Sequence, residues 1–242
     1  MPDQVIPRGA PAPAAEHSRL IWVIGFVVLL ISVWLVPVAW RQLVADLMAA
    51  PARVTINTHA SQARPEENAE VWRQHRVRLQ SALKLQFANA AAHADLAALL
   101  VSAAGVQGLT DDEIVESRLG GILHYQEASR LRPSDPRLWL ELARAYLVAG
   151  DVGPEFQIAW QRAAILGPYE AVVQSGLFEL AMIARSSISL PTMNDWVSKL
   201  YASADERKRS AMRKLAAQYS VQLDENGTPT VSEAGRVDSP AE

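Results

Sequence analysis

The side chains best suited to chemistry in this chain are five histidines and one dense group of carboxylates. None of the histidines is spaced as a helical metal-binding pair, and the chain has no cysteine that could join them as a ligand. The carboxylates, Asp111, Asp112 and Glu113, are consecutive, so on a helix they point in different directions and cannot converge on one cation. Negative charge at a helix N-terminus explains them better. The histidines are His17, His59, His75, His93 and His124.

Motifs of the common enzyme classes are missing from the sequence. It contains no G-x-S-x-G nucleophile turn, no phosphate-binding P-loop and no G-x-G-x-x-G dinucleotide motif. A net charge of −3 argues against a general nucleic-acid binder. We therefore predict that the protein is not an enzyme and has no catalytic residue, no cofactor, no metal ligand and no nucleic-acid partner. Binding of other proteins is the class that remains favoured.

The most regular structural pattern runs from Arg132 to Pro168. Asp135 suits a helix N-cap, Pro136 suits the first helical position, and Gly150 suits a helix end. Large and small apolar residues recur at offsets that place them on one face of each of two helices. They are Trp139, Leu142, Ala143 and Tyr146 in the first helix, and Trp160 and Ala163 in the second. This register is typical of a tetratricopeptide (TPR) hairpin, and the alternative is an ordinary helical hairpin.

The pattern extends beyond this hairpin. Upstream, Tyr125 and Ala128 repeat the spacing of the second helix. Before them lies an insert, residues 105–116, in which Thr110 and Glu113 have the form of a capping box. Neighbouring repeats are expected, because one repeat cannot bury its own apolar face. The predicted fold is all-α: an N-terminal single transmembrane helix followed by a TPR-like α-solenoid of about three degenerate helical hairpins.

The stretch from Leu20 to Trp40 carries no charged residue and is long enough to cross a bilayer of about 30 Å. We predict an uncleaved transmembrane helix. The alternatives are a buried core helix, which rarely runs so long without a polar face, and a cleaved signal peptide, which has a shorter apolar region. Positive residues are nearly balanced across the span, and a short tail before a large domain is common in signal anchors. This favours a single-pass protein with its N-terminus inside and its helical domain outside, in the periplasm if the cell is a Gram-negative bacterium.

These patterns divide the chain into regions. A disordered tail is predicted for residues 1–19, and the transmembrane helix for 20–41, with a juxtamembrane extension to about residue 50 where Pro51 stops it. A polar linker is predicted for 52–67, the TPR-like helical domain for 68–220, and a disordered acidic tail for 221–242.

A TPR solenoid lines its concave face with the first helix of each repeat, which locates a candidate groove in this chain. Its mixture of apolar and basic positions suits a peptide or helix with apolar anchors and an acidic group near Arg137 and Arg144. The alternative is that these residues cover the repeat's own surface or pack on the C-terminal helices. The candidate partner-binding residues are Arg137, Leu140, Arg144, Leu147 and Glu179.

Three segments carry a more specific resemblance. They are A-D-L-M-A-A-P-A-R from Ala45 to Arg53, I-L-H-Y-Q-E-A-S-R-L-R-P from Ile122 to Pro133, and E-F-Q-I-A-W-Q-R-A-A-I-L-G-P-Y-E-A-V-V-Q from Glu155 to Gln174. In these segments the chain resembles the VpsP-type accessory proteins of bacterial exopolysaccharide clusters, although that family usually has Trp where this chain has Tyr169. The resemblance implies a single-span inner-membrane protein with a degenerate TPR domain and no defined catalytic residues.

The resemblance also implies a role in making or exporting surface polysaccharide. We therefore predict a membrane-anchored TPR-like scaffold or adaptor that binds envelope or polysaccharide-assembly proteins and contacts the membrane through Leu20 to Trp40. The alternatives are a TPR subunit of another envelope pathway, such as secretion or cytochrome maturation, and a direct glycan-binding module.

Overall fold

The computed structural model describes residues 14–61, 68–85, 87–185 and 191–231. The helices in these ranges are α1 (Ala14–Ser61), α2 (Ala69–Leu85), α3 (Ala90–Val101), α4 (Asp111–Leu131), α5 (Pro136–Val148), α6 (Pro154–Leu166), α7 (Ala171–Arg185), α8 (Pro191–Ser203) and α9 (Glu206–Gln218). Two short strands, β1 (Val221–Leu223) and β2 (Pro229–Val231), form an antiparallel hairpin after the last helix. The prediction of a mostly helical protein with an apolar N-terminal helix is confirmed.

Side chains at two predicted helix starts make the expected caps. The Thr110 hydroxyl accepts a hydrogen bond from the Glu113 backbone N–H at 3.2 Å, and the Glu113 carboxylate accepts one from the Thr110 N–H at 2.9 Å. Both arms of the capping box are therefore present, and α4 begins at Asp111. The Asp135 carboxylate accepts from the Arg137 N–H at 3.0 Å, with Pro136 at the first helical position of α5.

The predicted insert does not form a separate helix. Its second half supplies the first turns of α4. Its first half is a short non-helical segment that follows a 3₁₀ turn, Ser102–Gly105, and is extended at Val106. Within that segment the Gln107 carbonyl accepts a hydrogen bond from the Ala69 N–H at 3.0 Å. The insert thus ties the start of α2 to the α3–α4 connection.

Each helix from α2 to α6 packs mainly on its neighbours in sequence, whereas α7 contacts α5 more extensively than it contacts α6 or α8. The apolar side chains form two groups. The main core draws its buried residues mostly from α4 to α9, and includes Tyr125, Leu140, Tyr146, Phe156, Trp160, Val173, Leu177, Phe178 and Val197. The α1 cluster joins α1, α2 and α3, and includes Ala45, Ala49, Trp72, Leu79, Leu96, Leu99 and Leu100.

The TPR consensus positions of α5 and α6 are packing positions. Leu142, Ala143, Trp160 and Ala163 are buried in the main core, while Trp139 is half-buried at its edge. Gly121 in α4 permits a close approach to α3, since a Cβ at that residue would lie 2.7 Å from Val101 Cγ2.

The structure differs from the predicted linker at residues 52–67. α1 continues through Ser61 with Pro51 inside it, and residues 62–67 lie outside the described ranges. A proline removes one backbone hydrogen bond, but packing on both sides of it can hold a helix together. Here Ala45 and Ala49, just before the proline, are buried against α2 and α3. The domain therefore contacts α1 before the predicted linker begins.

The β1–β2 hairpin corrects the prediction that 221–242 is a disordered tail from its first residue. Asp224 Oδ1 accepts backbone hydrogen bonds from Asn226 at 2.9 Å and Thr228 at 2.7 Å, and Gly227 has φ of +78°. The Asn226-Gly227 dipeptide between the two strands is the local sequence signal for this hairpin. Residues 232–242 lie outside the described ranges, as do residues 1–13 of the predicted N-terminal tail; 14–19 belong to α1.

Within α1, the segment Trp22–Pro51 is long and apolar enough to cross a membrane by length and composition. Its large apolar side chains are exposed, including Trp22, Phe26, Trp34 and Trp40. The alternative that this segment is a buried core helix of the chain is therefore wrong for the described residues.

Candidate functional site

The two leucines of the predicted groove lie on the inner side of α5. Leu140 is buried, and its Cδ2 would lie only 2.7 Å from a Cβ placed on Gly176 of α7. Leu147 is half-buried and packs on the main core. Neither leucine is an open apolar anchor for a partner, because α7 and the main core already cover them.

The charged residues of the predicted groove pair within the chain. Both terminal nitrogens of the Arg144 guanidinium lie 3.3 Å from Glu179 Oε2 on α7, and its Nε lies 3.4 Å from Glu141 Oε2. The exposed Arg137 Nε lies 3.2 Å from Glu170 Oε2, at the start of α7. The acidic groups expected from a partner are thus supplied by this chain, and they fasten α5 to α7.

The end of α9 lies across the same face. The Tyr219 hydroxyl donates a hydrogen bond of 3.4 Å to Glu179 Oε1. Burial raises the pKa of the Glu141 carboxyl above its usual range, and the charge of Arg144 opposes that shift. Burial also raises the pKa of the Tyr219 hydroxyl, with the negative charge of Glu179 acting in the same direction. The face between α5 and α7 is therefore an ion-paired seam with partly exposed charged groups, and Tyr219 at the end of α9 contacts it, as in the alternative of packing on the C-terminal helices.

The structure brings together two histidines that the sequence analysis treated separately. His93 Nδ1 on α3 lies 3.0 Å from His124 Nδ1 on α4, and His93 Nε2 lies 3.0 Å from the Phe87 carbonyl oxygen. A carbonyl only accepts hydrogen bonds, so His93 Nε2–H donates to Phe87, and in the neutral pair the His124 Nδ1–H donates to His93 Nδ1. Burial lowers the pKa of His124, and the nearby charge of His93 lowers it further.

This histidine pair could not be read from the sequence, because it joins residues on different helices. Within the described ranges, no group of three or more histidine, aspartate or glutamate side chains could hold a metal ion. Two ion pairs between α2 and α4 also join residues far apart in sequence and could not be predicted from it. They are Arg73–Glu113 and Arg76–Glu116, each with a closest N···O distance of 2.9 Å. Glu113 thus serves both as a cap and as an ion-pair partner.

Outside α1, two exposed apolar surfaces stand out among the described residues. On α4, Val115, Leu119 and Leu123 follow one another at intervals of one helical turn and are 54%, 58% and 65% exposed. We call them the α4 stripe. Around the α6–α7 turn, Ile165, Tyr169 and Val172 are 76%, 94% and 63% exposed, and we call them the turn patch. Contiguous exposed apolar side chains on a domain surface are typical of binding sites.

A surface cavity of about 410 Å³ with a mainly apolar lining lies between α4, α5 and α6. It contains the half-buried Trp139, but that ring is already engaged: its Nε1–H donates to the Pro133 carbonyl at 2.9 Å, and the Arg162 guanidinium lies 5.4 Å from its centroid. The Tyr146 hydroxyl in the same cavity accepts a hydrogen bond of 2.7 Å from Gln126 Nε2. Aromatic rings stacked on a sugar would need a free face, and these rings give little support to glycan binding.

Comparison with models of protein families gives no match, and comparison with curated proteins gives none either.

Proposed function

We propose that the protein is a membrane-anchored TPR-like scaffold that binds protein partners through exposed apolar helix surfaces. Helices α3 to α7 supply the support for the TPR-like assignment, since each packs on its neighbours in sequence and α5 contacts α7, as the first helices of adjacent repeats do. The consensus residues Leu142, Ala143, Trp160 and Ala163 fill the space between paired helices.

The α4 stripe is the observation that carries the binding role. Three large apolar side chains on one exposed face are costly in water, at about 25 cal/mol per Å² of apolar surface, and a partner that covers them recovers this free energy. A partner with an apolar helix face fits such a stripe, because helix surfaces interdigitate through rows of side chains. The ion-paired seam between α5 and α7 offers no comparable surface.

The anchor is supported by the contact between α1 and the domain. Ala45 and Ala49 belong to the same helix as the apolar segment and are buried in the α1 cluster. This contact places the domain directly beside the end of the apolar segment on one continuous helix, as an uncleaved anchor requires. We further propose a bacterial inner-membrane location with the domain in the periplasm, and a scaffolding rather than enzymatic role in exopolysaccharide biosynthesis or export.

A photo-crosslinking amino acid at Leu119, in the full chain in its native membranes, tests the proposal. We expect it to capture a polysaccharide-assembly protein, and we expect Leu119→Glu to reduce recovery of that protein in a pull-down by roughly tenfold, since a charge replaces a buried apolar contact. The matched control is Val172→Glu in the turn patch, which should leave recovery unchanged.

The outcomes separate the alternatives. Loss of recovery with Val172→Glu but not with Leu119→Glu would move the binding surface to the turn patch and refute the α4 stripe. Capture of secretion or cytochrome-maturation proteins in place of polysaccharide-assembly proteins would assign the scaffold to another envelope pathway. A reporter enzyme fused after Tyr219 tests the orientation, and activity on the cytoplasmic side would contradict the periplasmic location.

A further inference from the structure

A second surface cavity, of about 430 Å³, lies where α1 emerges from its apolar segment. Three parts of the chain surround it: Arg41 on α1, the α2–α3 connection with Leu85 and Phe87, and Arg132 at the end of α4. No carboxylate is among its lining residues in the described part of the chain. The cavity therefore combines cationic and apolar groups without an internal counter-charge.

The two guanidinium groups give this cavity its charge. Among the described residues, neither Arg41 nor Arg132 has an ion-pair partner, in contrast to Arg137 and Arg144. The N-terminus of α3, at Ala90, also lines the cavity and adds the positive end of a helix dipole. Arginine binds phosphate oxygens through paired N–H donors, so an anionic phosphate group fits these surroundings.

The position of the cavity along α1 favours a lipid headgroup as the source of that phosphate. Arg41 directly follows Trp40, the last residue of the apolar stretch, and Ala45 is already buried in the α1 cluster. Four residues of α-helix span about 6 Å. If the apolar stretch crosses a membrane, the cavity therefore lies at the depth of the lipid headgroups.

Exposed apolar side chains at the edge of the cavity support the same placement. Phe87 is 78% exposed and Leu85 is 39% exposed, although both adjoin the cationic groups. An exposed aromatic ring beside basic residues is unfavourable in water but stable at a membrane interface, where the ring enters the acyl region and the cations meet the headgroups.

We propose that this cavity binds the phosphate of an anionic phospholipid headgroup through Arg41 and Arg132, while Phe87 inserts into the adjoining lipid. The inference rests on the membrane anchoring proposed above. It adds that the domain is held against the bilayer at a specific lipid site, and is not merely tethered to it by α1.

The test compares lipid retention by the full chain in nanodiscs of phosphatidylcholine alone or of an equal mixture with phosphatidylglycerol, measured by native mass spectrometry. We expect Arg41→Gln with Arg132→Gln to reduce retained phosphatidylglycerol by about tenfold or more, because each basic residue near the surface adds measurably to anionic-lipid binding. The matched control removes two charges outside the cavity, by Arg207→Gln with Lys214→Gln, and should retain as much phosphatidylglycerol as the unchanged chain.

Equal retention by the two double variants would overturn the lipid site. Comparable binding of inorganic phosphate by the detergent-solubilised chain would assign the cavity to a soluble anion and overturn it as well. Carbonate extraction of cell membranes is measured in parallel. Release of the unchanged chain by carbonate would refute the anchoring itself, whereas an embedded chain with no lipid preference refutes only the headgroup site.

The insertion of Phe87 has its own test, since the chain has no cysteine and a single introduced thiol can be labelled uniquely. We expect an environment-sensitive fluorophore on Phe87→Cys to be quenched by brominated lipid in vesicles. The same fluorophore on Tyr169→Cys, at a residue that is 94% exposed in the turn patch, should be quenched much less. Equal quenching at the two positions would contradict insertion of Phe87.

Discussion

The α1 cluster and the main core each bury a tryptophan, but they surround it with different kinds of side chain. Each contains a fully buried tryptophan whose indole N–H donates to a backbone carbonyl of another helix: Trp72 to Leu99 at 3.1 Å, and Trp160 to Leu177 at 3.2 Å. Around Trp160 the main core adds further aromatic rings, including Trp196, which meets it edge-on at 5.2 Å. Around Trp72 the α1 cluster has only aliphatic side chains, many of them alanines.

We relate this difference to how closely the helices of each group approach one another. Alanines at Ala45 and Ala49 let α2 and α3 approach the backbone of α1 closely, which large side chains would prevent. The main core also contains alanines, but it adds buried aromatic rings such as Tyr125, Phe156 and Phe178. We infer that the α1 cluster docks the domain on α1, while the main core keeps the domain folded.

The largest expected effect comes from the main core. Trp160→Ala should lower the free energy of unfolding by about 3–5 kcal/mol, because it removes a large buried ring and leaves the Leu177 carbonyl without its donor. Chemical denaturation of the full chain in detergent, followed by circular dichroism, measures this. A change under about 1 kcal/mol would contradict the role given to the main core.

The next effect should be confined to the α1 cluster. Ala49→Glu places a carboxylate at a position that is 2% exposed, at a cost of about 2–3 kcal/mol. We expect faster hydrogen exchange in α2 and unchanged exchange in α6. Ala50→Glu, on the next and exposed residue of α1, is the control and should alter neither helix. Faster exchange in α6 with Ala49→Glu would show that the two groups are one cooperative unit.

A smaller effect tests the contact of α3 with α4, where the two groups meet. Gly121→Ala brings a Cβ within 2.7 Å of Val101 Cγ2 and should destabilise by about 1–2 kcal/mol, after the gain in helix propensity is subtracted. Gly120→Ala is the matched control, since its Cβ would lie 3.3 Å from the flexible Leu100 Cδ1 and should be neutral or slightly stabilising. Thermal melts of the two variants compare them directly, and equal melting temperatures would contradict the tight contact.

The sequence predicted well those features that depend on local spacing. The caps at Thr110 and Asp135 and the buried positions Leu142, Ala143 and Trp160 follow from helical offsets within one segment. The ion-paired seam between α5 and α7 could not be predicted from spacing within one segment. The helical periodicity of α5 predicts that Arg144 is exposed. Glu179 reaches it only because α7 packs against α5.

Other features were missed for different physical reasons. The β1–β2 hairpin has a local signal in Asn226-Gly227, whereas the prediction for 221–242 rested on polar, acidic composition alone. The continuation of α1 beyond Pro51 has no local signal, because a proline within a helical pattern is expected to end or kink the helix. The partner-binding role of the candidate residues stays a prediction, and the α4 stripe is now the stronger candidate surface.

The smallest expected effect concerns the histidine pair, which joins α3 to α4. Burial and the charge of His93 lower the pKa of His124 below its ordinary value of 6.5, so the folded chain binds a proton less readily than the unfolded chain. The contribution of this group to stability is complete above pH 6.5 and is lost as the pH falls from 6.5 toward the lowered pKa. Double protonation would also place two N–H groups against each other across the 3.0 Å contact.

When His124 is replaced by Gln, the loss of unfolding free energy between about pH 7 and about pH 5 should therefore be smaller than in the unchanged chain. Glu141 acts in the opposite direction, because a carboxyl with a raised pKa stabilises the folded chain as the pH falls. It is present in both proteins, so its contribution cancels when the pH dependence of the variant is subtracted from that of the unchanged chain. A remaining difference that grows toward acid pH assigns the effect to His124. An identical pH dependence in the two proteins would mean that the contact between α3 and α4 is held by its packing at Gly121 and Val101, and that the histidine pair contributes no pH-sensitive part of it.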